Sequence, residues 1–482
     1  MVGRKATYLY IESIIGVVAG YLLWIFLSKL TTPEVIGVAS TIISLNTIFS
    51  TIVDLAVPTG STRFLGKSFL ERRTEDAKVL VKASLLIICL SILVCSAAIL
   101  VFKQWISPAL GFDLTVILIL LIGISAIASL LRSVRIASLE TKSLPIIMII
   151  SSVFRIVLAI ILVLLGKGAV GITIGYLSGY VSAVILLSFI LVTSLIPVKK
   201  ESTIHLYHAC KSILVASVPS WIPKVMGVVG AHLGTVLVFG TSGASEAGSY
   251  FIAFAIFYAI DGIKTSLFSI AFPILSAMDD QRKRFVWRLI KMSLIVSLPI
   301  SFSVMLYSNE VLGLIGSDYI LGSLSLKIIL LSMLPLTFLV GISTLVYSYG
   351  NYWQVFSISL GANLSRVLLY FILVPLYGSE GAAIAFTIGS IIGFVVSIII
   401  AKRIKMLIPW RELALIFIIP AGLAFTLDYF HVIYIIGIPV ILVLSITFLL
   451  ISRVLSKSDV RESLGILPDS IGKPLINILN KL

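Results

Sequence analysis

The sequence is poor in charge, in acidic residues, in histidine and in cysteine. Asp, Glu, Lys and Arg make up 12% of its 482 residues, about half the share found in ordinary soluble domains. The three cysteines, Cys89, Cys95 and Cys210, lie in or near apolar stretches, and their odd number argues against a disulfide framework. His205 and His208 lie three residues apart but have no third ligand nearby. A metal site is therefore not expected.

The sequence also lacks the motifs of nucleotide and metal chemistry. It contains no Walker A loop, no glycine-rich dinucleotide loop and no zinc-binding spacing, and each of these motifs is needed for the chemistry it serves. Activity driven by ATP hydrolysis within this chain is therefore excluded, and no cofactor is expected. A coupling ion, either H⁺ or Na⁺, stays open.

Apolar sequence is what the chain has in abundance. Hydrophobic residues make up 59% of it, and the mean hydropathy is +1.17. A membrane-spanning helix needs about 20 apolar residues, and the short connections leave no room for a soluble domain. The pattern predicts an all-α, multi-pass protein of the cell membrane with about fourteen spans, at roughly residues 7–28, 35–57, 79–102, 113–131, 145–165, 170–196, 211–239, 248–272, 286–308, 323–348, 352–374, 381–401, 412–428 and 431–452.

Lysine and arginine indicate the orientation, because short cytoplasmic loops are enriched in them. If the N-terminus lies inside, the predicted inner loops are basic and include Arg132, Arg135 and Lys142, whereas the outer loops hold only Lys29, Lys103 and Lys167. Both termini are therefore expected on the cytoplasmic side. This topology also accounts for the net charge of +15, since basic loops face the anionic lipids of the inner leaflet. Membrane lipids, and not nucleic acid, are the expected partners.

Two short patterns recur at a distance of six predicted helices. Gly37 and Gly248 each stand near the start of a helix that follows a glycine-containing span, and the run from Arg155 to Gly168 resembles the run from Arg366 to Gly381. Two repeats separated by an even number of helices share their topology and are related by an axis along the membrane normal, with substrate bound between them near the midplane. We expect an N-lobe at residues 1–200, a C-lobe at 201–405, two further helices at 406–452 and a cytoplasmic amphipathic tail at 453–482.

Four basic residues, Arg155, Lys224, Lys264 and Arg366, lie near the middle of predicted spans. A cation at this depth costs roughly 3 kcal/mol on insertion scales and usually faces a bundle interior or a wet cavity. Arginine grips phosphate with two parallel bonds, and lysine acts as a point charge. We therefore expect these four residues to bind an anionic substrate. Two alternatives stay open: the arginines bond backbone carbonyls of neighbouring helices, and Lys264 pairs with Asp261 three residues before it.

Acidic residues within or beside the predicted spans are candidates for gating or ion coupling. Glu12 lies in the first span, where a carboxylate desolvated by burial could exchange a proton near neutral pH. Pairing with Lys5 or with a cation of a neighbouring helix is an equal alternative. Asp54 lies at the inner end of the second span and is predicted to be a gate or a loop contact of Arg63. Asp261 is the counter-ion of its neighbouring lysine or a proton acceptor.

The surroundings of two of the basic residues add a hinge and a supporting amide. Pro219 and Pro223 lie within one turn of each other beside Lys224. Proline inside a spanning helix frees backbone carbonyls and kinks the helix, so a hinge is predicted there. Asn363 lies one turn before Arg366 and is placed to support it.

Several stretches match one known family in order and spacing over nearly the whole chain. They are Leu30-Thr31-Thr32-Pro33-Glu34-Val35-Ile36-Gly37, Asp54-Leu55-Ala56 with Thr62-Arg63-Phe64, Gly248-Ser249-Tyr250 with Ala253, Gly316-Ser317-Asp318-Tyr319, and Val374-Pro375-Leu376-Tyr377-Gly378-Ser379-Glu380-Gly381-Ala382-Ala383-Ile384-Ala385. In these stretches the chain resembles the Wzx-like polysaccharide-biosynthesis branch of the multidrug/oligosaccharidyl-lipid/polysaccharide (MOP) exporter superfamily. The last stretch is the most specific match.

The resemblance implies a flippase that carries a polyprenyl- or dolichyl-linked oligosaccharide from the cytoplasmic to the outer leaflet by alternating access. It implies lipid-linked oligosaccharide as the substrate, glycan-assembly enzymes as possible partners, and lipid II flippases (MurJ) and MATE drug exporters as relatives. Many members carry an acidic residue in helix seven, where this chain has Gly234 with His232 nearby. This departure argues against a sodium site at that position.

Two other functions stay open at the level of sequence. A MATE-like ion-coupled exporter of small cations has the same fold, but it needs an acidic or aromatic cavity, and the mid-depth charges here are mostly positive. A membrane polymerase, ligase or glycosyltransferase for sugars usually carries a long loop with acidic or histidine catalytic residues. The predicted loops here are short and basic, so a transporter is favoured over an enzyme.

Overall fold

The computed structural model describes residues 2–71, 73–101, 111–194, 204–278 and 280–455. All regular secondary structure in these ranges is helical, which confirms the all-α prediction. The α-helices are α1 (Val2–Leu30), α2 (Pro33–Val53), α3 (Val57–Leu70), α4 (Thr74–Val101), α5 (Phe112–Ala137), α6 (Leu144–Leu164), α7 (Gly168–Ser194), α8 (Leu206–Ser242), α9 (Ala244–Ala277), α10 (Arg282–Leu306), α11 (Ser308–Ile315), α12 (Ser323–Leu330), α13 (Met333–Ser348), α14 (Tyr352–Arg403), α15 (Trp410–Tyr429) and α16 (Tyr434–Ile451).

Many of these helices are long and apolar enough to cross a membrane. Within the described ranges eleven qualify, or twelve when the bent pair Ser317–Leu330 and Met333–Ser348 is taken as one span. The protein is therefore a multi-pass membrane protein, as predicted. Each predicted span overlaps a helix, while the number fourteen and the side on which each terminus lies stay predictions.

The second predicted span ends earlier than the sequence indicated. Instead of continuing to residue 57, α2 stops at Val53, and a tight turn leads into α3. Leu55 and Ala56 both have positive φ angles, of 47° and 53°, which non-glycine residues rarely adopt. The carboxylate of Asp54 stabilises this turn because its Oδ1 accepts a hydrogen bond of 2.8 Å from the Ala56 amide. Apolar sequence alone does not reveal such a break, since the turn itself is buried.

Helix α14 contains the residues of two predicted spans. It has 52 residues but is interrupted at Gly378, whose φ of 53° and ψ of −130° are not helical. A helix this long is more than twice what one crossing needs, which supports two spans joined by a sharp kink. Just beyond the kink the two halves touch: a Cβ on Gly381 would lie 2.1 Å from the carbonyl oxygen of Leu373. Only glycine permits this approach.

Replacing Gly378 with alanine is expected to lower the free energy of unfolding by about 1–3 kcal/mol, because its backbone conformation is essentially restricted to glycine. The midpoint of thermal unfolding in detergent measures this loss. Gly422→Ala is the matched control. That glycine lies inside α15, and an added Cβ meets no atom within 4 Å, so the control should be neutral or slightly stabilising. Equal midpoints for both variants would contradict a strained kink.

By contacts the chain divides into two compact units, Met1–Gly248 and Ser249–Leu482. In the first unit α6 packs on α1 and α7, and α8 packs on α2, α3 and α4. In the second unit α13 packs on α10 and α14, and α10 also packs on α15 and α16. The lobe boundaries drawn from the sequence repeats stay predictions, and α8, assigned to the C-lobe by the repeats, belongs to the first compact unit. Most of the predicted tail, residues 456–482, lies outside the described residues.

Candidate substrate cavity

The first unit encloses a cavity of about 430 Å³, lined by residues of α1, α2, α5, α6, α7 and α8 together with Asp54 of the α2–α3 turn. Five charged side chains reach it: Glu12, Asp54, Arg132, Arg155 and Lys224. Eight hydroxyl-bearing residues also line it: Ser50, Thr51, Ser125, Ser129, Ser151, Ser152, Tyr176 and Tyr180. The lining therefore holds three basic and two acidic side chains, which leaves one positive charge without a balancing carboxylate.

Glu12 is held by Arg132 across the cavity. Arg132 Nε donates to Glu12 Oε1 at 2.6 Å, and its Nη2 donates to Oε2 at 2.8 Å. Parallel bonds of this kind are among the strongest polar contacts in proteins. The sequence predicted Glu12 as a buried carboxylate that either couples transport or pairs with Lys5 or a cation of a neighbouring helix. Its partner is such a cation, but the sequence did not identify it as Arg132. Arg132 directly follows an apolar run and was counted with the loop cations that set the orientation, and no linear spacing links it to a residue in α1.

Asp54 pairs with Lys224, and not with Arg63 as the sequence suggested. Lys224 Nζ lies 2.5 Å from Asp54 Oδ2, with the carboxylate side chain 5% exposed and the lysine 38% exposed. Along the same face of α8, Trp221 Nε1 donates to the Ile52 carbonyl at 3.2 Å. One turn earlier, a Cβ on Gly60 would lie 2.1 Å from Ser217 Oγ. Helix α8 is thus fastened to the α2–α3 turn.

The two prolines of the predicted hinge lie within this fastened stretch. Pro219 and Pro223 stand inside α8, which is assigned as one helix over its 37 residues. Pro223 directly precedes Lys224, and the two prolines leave the carbonyl groups of Val215 and Pro219, four residues before each of them, without an intrahelical hydrogen bond. The hinge role itself stays a prediction.

Arg155 differs from the other cations of the cavity because it forms no ion pair in the described part of the chain. Its guanidinium lies over the ring of Tyr176, 5.1 Å from the centroid. Its Nε and Nη2 are buried without a hydrogen-bond partner, and so are the hydroxyls of Ser151 and Ser152, four and three residues earlier on α6. Burying polar groups without partners costs free energy. A ligand that accepts hydrogen bonds would recover this cost.

Two of the predicted basic residues belong to the second unit, and both have partners there. Lys264, whose side chain is 1% exposed, forms an ion pair with Asp261, as their three-residue spacing suggested. Arg366 is 5% exposed and donates to the carbonyl of Phe386 at 3.3 Å and to Asn363 Oδ1 at 3.1 Å. This is the structural alternative that the sequence left open. The assignment of both residues to substrate binding stays a prediction.

A family comparison decides where this chain belongs. The profile of the family described as polysaccharide biosynthesis protein matches residues 2–279, which is more than half of the chain. The chain belongs to the polysaccharide biosynthesis protein family. The matched region covers the whole of the first unit and therefore every residue that lines the cavity. No curated protein matches the chain by sequence.

Solved structures of transporters share the fold. A lipid II flippase MurJ in an inward-closed conformation has a TM-score of 0.68 at 16% identity, over 94% of this chain and all of that chain. An inward-facing MATE multidrug transporter of the MOP superfamily scores 0.65 at 16% identity, over 83% and 98%. A MOP transporter from Pyrococcus furiosus, described as having a binding pocket of reversed polarity, scores 0.54 at 17% identity, over 84% and 95%. At these identities the likeness establishes a MOP-type transporter fold.

Proposed function

We propose that the protein is a flippase for a lipid-linked oligosaccharide, carrying a polyprenyl- or dolichyl-(pyro)phosphate sugar from the cytoplasmic to the outer leaflet by alternating access. The sugar and phosphate head enters the cavity, while the hydrocarbon tail stays in lipid. Membership of the polysaccharide biosynthesis family and the MurJ-like fold support a role in transport and not in catalysis.

The observation that carries the proposal is the unpaired guanidinium of Arg155 in a cavity lined with hydroxyl groups. A phosphate cannot cross hydrocarbon without charge compensation, because the cost of burying an isolated anion is prohibitive. Arg155 supplies that compensation with donors that no protein group uses. The hydroxyls around it suit a sugar, whose own hydroxyl groups both donate and accept hydrogen bonds.

The two ion pairs of the cavity are assigned to gating and coupling. Lys224 lines the same cavity as Arg155 and is partly exposed, so we assign it to substrate binding, where a phosphate oxygen would replace the Asp54 carboxylate that it now contacts. Glu12 and Asp54 are the carboxylates that a bound anion would repel. Their protonation or release from Arg132 and Lys224 would couple binding to an ion or to a conformational change. Lys264 and Arg366 would join the binding site only by exchanging their present partners.

The fold alone does not select the substrate, since MOP transporters include drug exporters and a transporter described as having reversed pocket polarity. A MATE-like exporter of cationic drugs would have to offer such a drug the carboxylates of Glu12 and Asp54. Both carboxylates already pair with basic residues, which favours an anionic substrate over a cationic one.

Leaflet accessibility in proteoliposomes tests the proposal. A short-chain polyprenyl-phosphate sugar is placed in both leaflets, and the fraction open to an impermeant oxidant is followed with time. We expect the protein to bring the inner pool to the outside, with protein-free liposomes showing only slow leakage. Transport of a cationic dye but not of the sugar lipid would favour the drug exporter. Chemical conversion of the sugar lipid would favour a membrane polymerase or ligase.

A further inference from the structure

Arg155 in the first unit and Arg366 in the second have the same local surroundings. Arg155 lies over the ring of Tyr176, and a Cβ on Gly179 would meet the Arg155 side chain at 3.0 Å. Arg366 lies over the ring of Phe386, 4.0 Å from its centroid, and a Cβ on Gly389, three residues after Phe386, would meet the arginine side chain at 2.2 Å. Each arginine thus rests on an aromatic residue and against a glycine.

The connections leading to these contacts also correspond, although Gly168 matches Gly378 in conformation and not Gly381, with which the sequence pattern had paired it. Gly168 and Gly378 both have positive φ angles, of 45° and 53°, and each stands eight residues before the aromatic residue that its arginine covers. The distance from arginine to glycine is thirteen residues in the first unit and twelve in the second. Ser152 corresponds to Asn363, because each lies three residues before its arginine. Tyr180 corresponds to Ser390, because each lies four residues after the aromatic residue that the arginine covers.

The two arginines differ in what those corresponding positions provide. Asn363 accepts a hydrogen bond from Arg366 Nη1, and Ser390 Oγ accepts one of 2.8 Å from Nη2. The Ser390 hydroxyl is held in place by its own bond of 2.7 Å to the Phe386 carbonyl, which also accepts from Arg366 Nε. This local set of acceptors occupies the guanidinium of Arg366 on both sides.

In the first unit the same two positions hold Ser152 and Tyr180. A serine is shorter than an asparagine and carries no amide oxygen, and a tyrosine carries its hydroxyl at the far end of a ring, away from the backbone carbonyl. Neither occupies the Nε and Nη2 groups of Arg155, which are left without partners. The difference between Tyr180 and Ser390 thus accounts for the unpartnered Nη2 of Arg155. Its Nε is unpartnered because it has no counterpart of the backbone bond that Arg366 makes to the Phe386 carbonyl.

The unpaired groups of Arg155 form a chemically specific edge. Nε–H and Nη2–H are parallel donors, and the neighbouring Arg132 uses this same edge to hold both oxygens of Glu12. The geometry suits two oxygens of one planar or tetrahedral oxyanion. The unpartnered hydroxyls of Ser151 and Ser152, both more than nine-tenths buried, add two further donors beside it.

We propose that Ser152 and Tyr180 keep the Nε–Nη2 edge of Arg155 free as an oxyanion seat, because they do not supply the contacts that Asn363 and Ser390 make with Nη1 and Nη2 of Arg366. In Arg366 the corresponding edge is closed by the Phe386 carbonyl and Ser390. The oxyanion is either the phosphate of the carrier lipid or the carboxylate of an acidic sugar. These two candidate oxyanions rest on the proposed function, whereas the free edge of Arg155 does not depend on it. Ser152 and Tyr180 are thus positioning residues that determine which of the two corresponding arginines binds ligand.

Exchanging the neighbours tests the proposal without removing any charge. The variant Ser152→Asn/Tyr180→Ser gives Arg155 the side chains that surround Arg366. Binding of a short-chain prenyl phosphate and, separately, of glucuronate is measured by calorimetry on the purified full-length protein in detergent. We expect the exchange to weaken binding of the true oxyanion about tenfold, the size of one lost charge-assisted bond. The probe that the wild-type protein binds more tightly shows whether the oxyanion is the phosphate of the carrier lipid or the carboxylate of an acidic sugar.

Two further variants keep the result interpretable. Ser152→Ala/Tyr180→Phe removes hydroxyls without adding an acceptor and should weaken binding only about two- to threefold. Ser390→Ala, at the corresponding position of the second unit, should leave the affinity per folded molecule close to that of wild type. Wild-type affinity in the exchange variant, or an equal loss in Ser390→Ala and Arg155→Gln, would overturn the proposal. If the double exchange does not fold, Tyr180→Ser alone is measured, because the corresponding Ser390 is the side chain that accepts from Nη2, and undiminished affinity there overturns the proposal equally.

The binding and transport measurements distinguish failure of the oxyanion seat from failure of the proposed flippase function. Calorimetry in detergent needs no leaflet movement, so a protein that binds the oxyanion in the expected pattern but moves no sugar lipid refutes the flippase and leaves the seat intact. A protein that moves the sugar lipid equally well with and without the exchange refutes the seat and leaves the flippase intact.

Discussion

Replacing Arg155 with glutamine is expected to weaken binding of a phosphate head group about a hundredfold and to stop transport. Each hydrogen bond to a charged group contributes about 1.5–3 kcal/mol, and the lost edge makes two. A total near 3 kcal/mol corresponds to about two orders of magnitude in affinity. Arg155 forms no ion pair in the described residues, so its removal strands no carboxylate. The midpoint of thermal unfolding should therefore stay within a few degrees of wild type.

Calorimetric binding and the proteoliposome assay measure this effect, with Arg155→Lys as the matched variant. Lysine keeps the charge but presents no parallel pair of donors, so an intermediate affinity, about tenfold below wild type, is expected. If Arg155→Lys binds the phosphate head group as tightly as wild type, charge alone determines the affinity. If Arg155→Gln binds as tightly as wild type, Arg155 is not part of the binding site.

Replacing Lys224 with methionine is expected to destabilise the protein by about 2–3 kcal/mol as well as to stop transport. The change leaves the Asp54 carboxylate, only 5% exposed, without its cation. Removing one partner of a buried pair typically costs 3–5 kcal/mol, and the partial exposure of Lys224 lowers that figure through solvent screening. This stability loss distinguishes Lys224 from Arg155, although both line one cavity.

The neutral double variant Asp54→Asn/Lys224→Met separates folding from transport. It removes both charges together, so most of the lost stability should return, whereas transport should not, because the cation that meets the substrate is gone. Unfolding midpoints in detergent and leaflet accessibility in liposomes measure the two properties. A double variant no more stable than Lys224→Met would show that the pair is not the source of the destabilisation. Restored transport would show that Lys224 does not bind substrate.

Some of the candidate site follows from local sequence spacing. The pair Asp261 and Lys264 was expected because residues three apart share one face of a helix, and the ion pair is present. Asn363 was expected to support Arg366 for the same reason, and the hydrogen bond is present. Both contacts lie within one helix, where the geometry of the helix alone brings the side chains together.

Contacts between helices could not be read in the same way. Glu12 and Arg132 are 120 residues apart, and Asp54 and Lys224 are 170 apart. The sequence singled out three of these four residues. It gave Asp54 the wrong partner, it left the partner of Glu12 open between Lys5 and a cation of a neighbouring helix, and it counted Arg132 as a loop cation. In lipid, apolar helices pack through shape and small residues, and the linear sequence does not specify which polar faces will meet.

The sequence by itself determined that this is an all-helical, multi-pass protein, because a span of about 20 apolar residues satisfies its backbone hydrogen bonds in a bilayer as a helix. Its motif stretches and the family profile also place it in the polysaccharide biosynthesis family. The sequence also singled out the four cations whose depth makes them costly. Only the tertiary structure decided which of them have partners. Lys224, Lys264 and Arg366 are engaged, and Arg155 is not. The reason is physical: depth in the membrane depends on position along one helix, whereas pairing depends on the side chains that neighbouring helices place within hydrogen-bond distance.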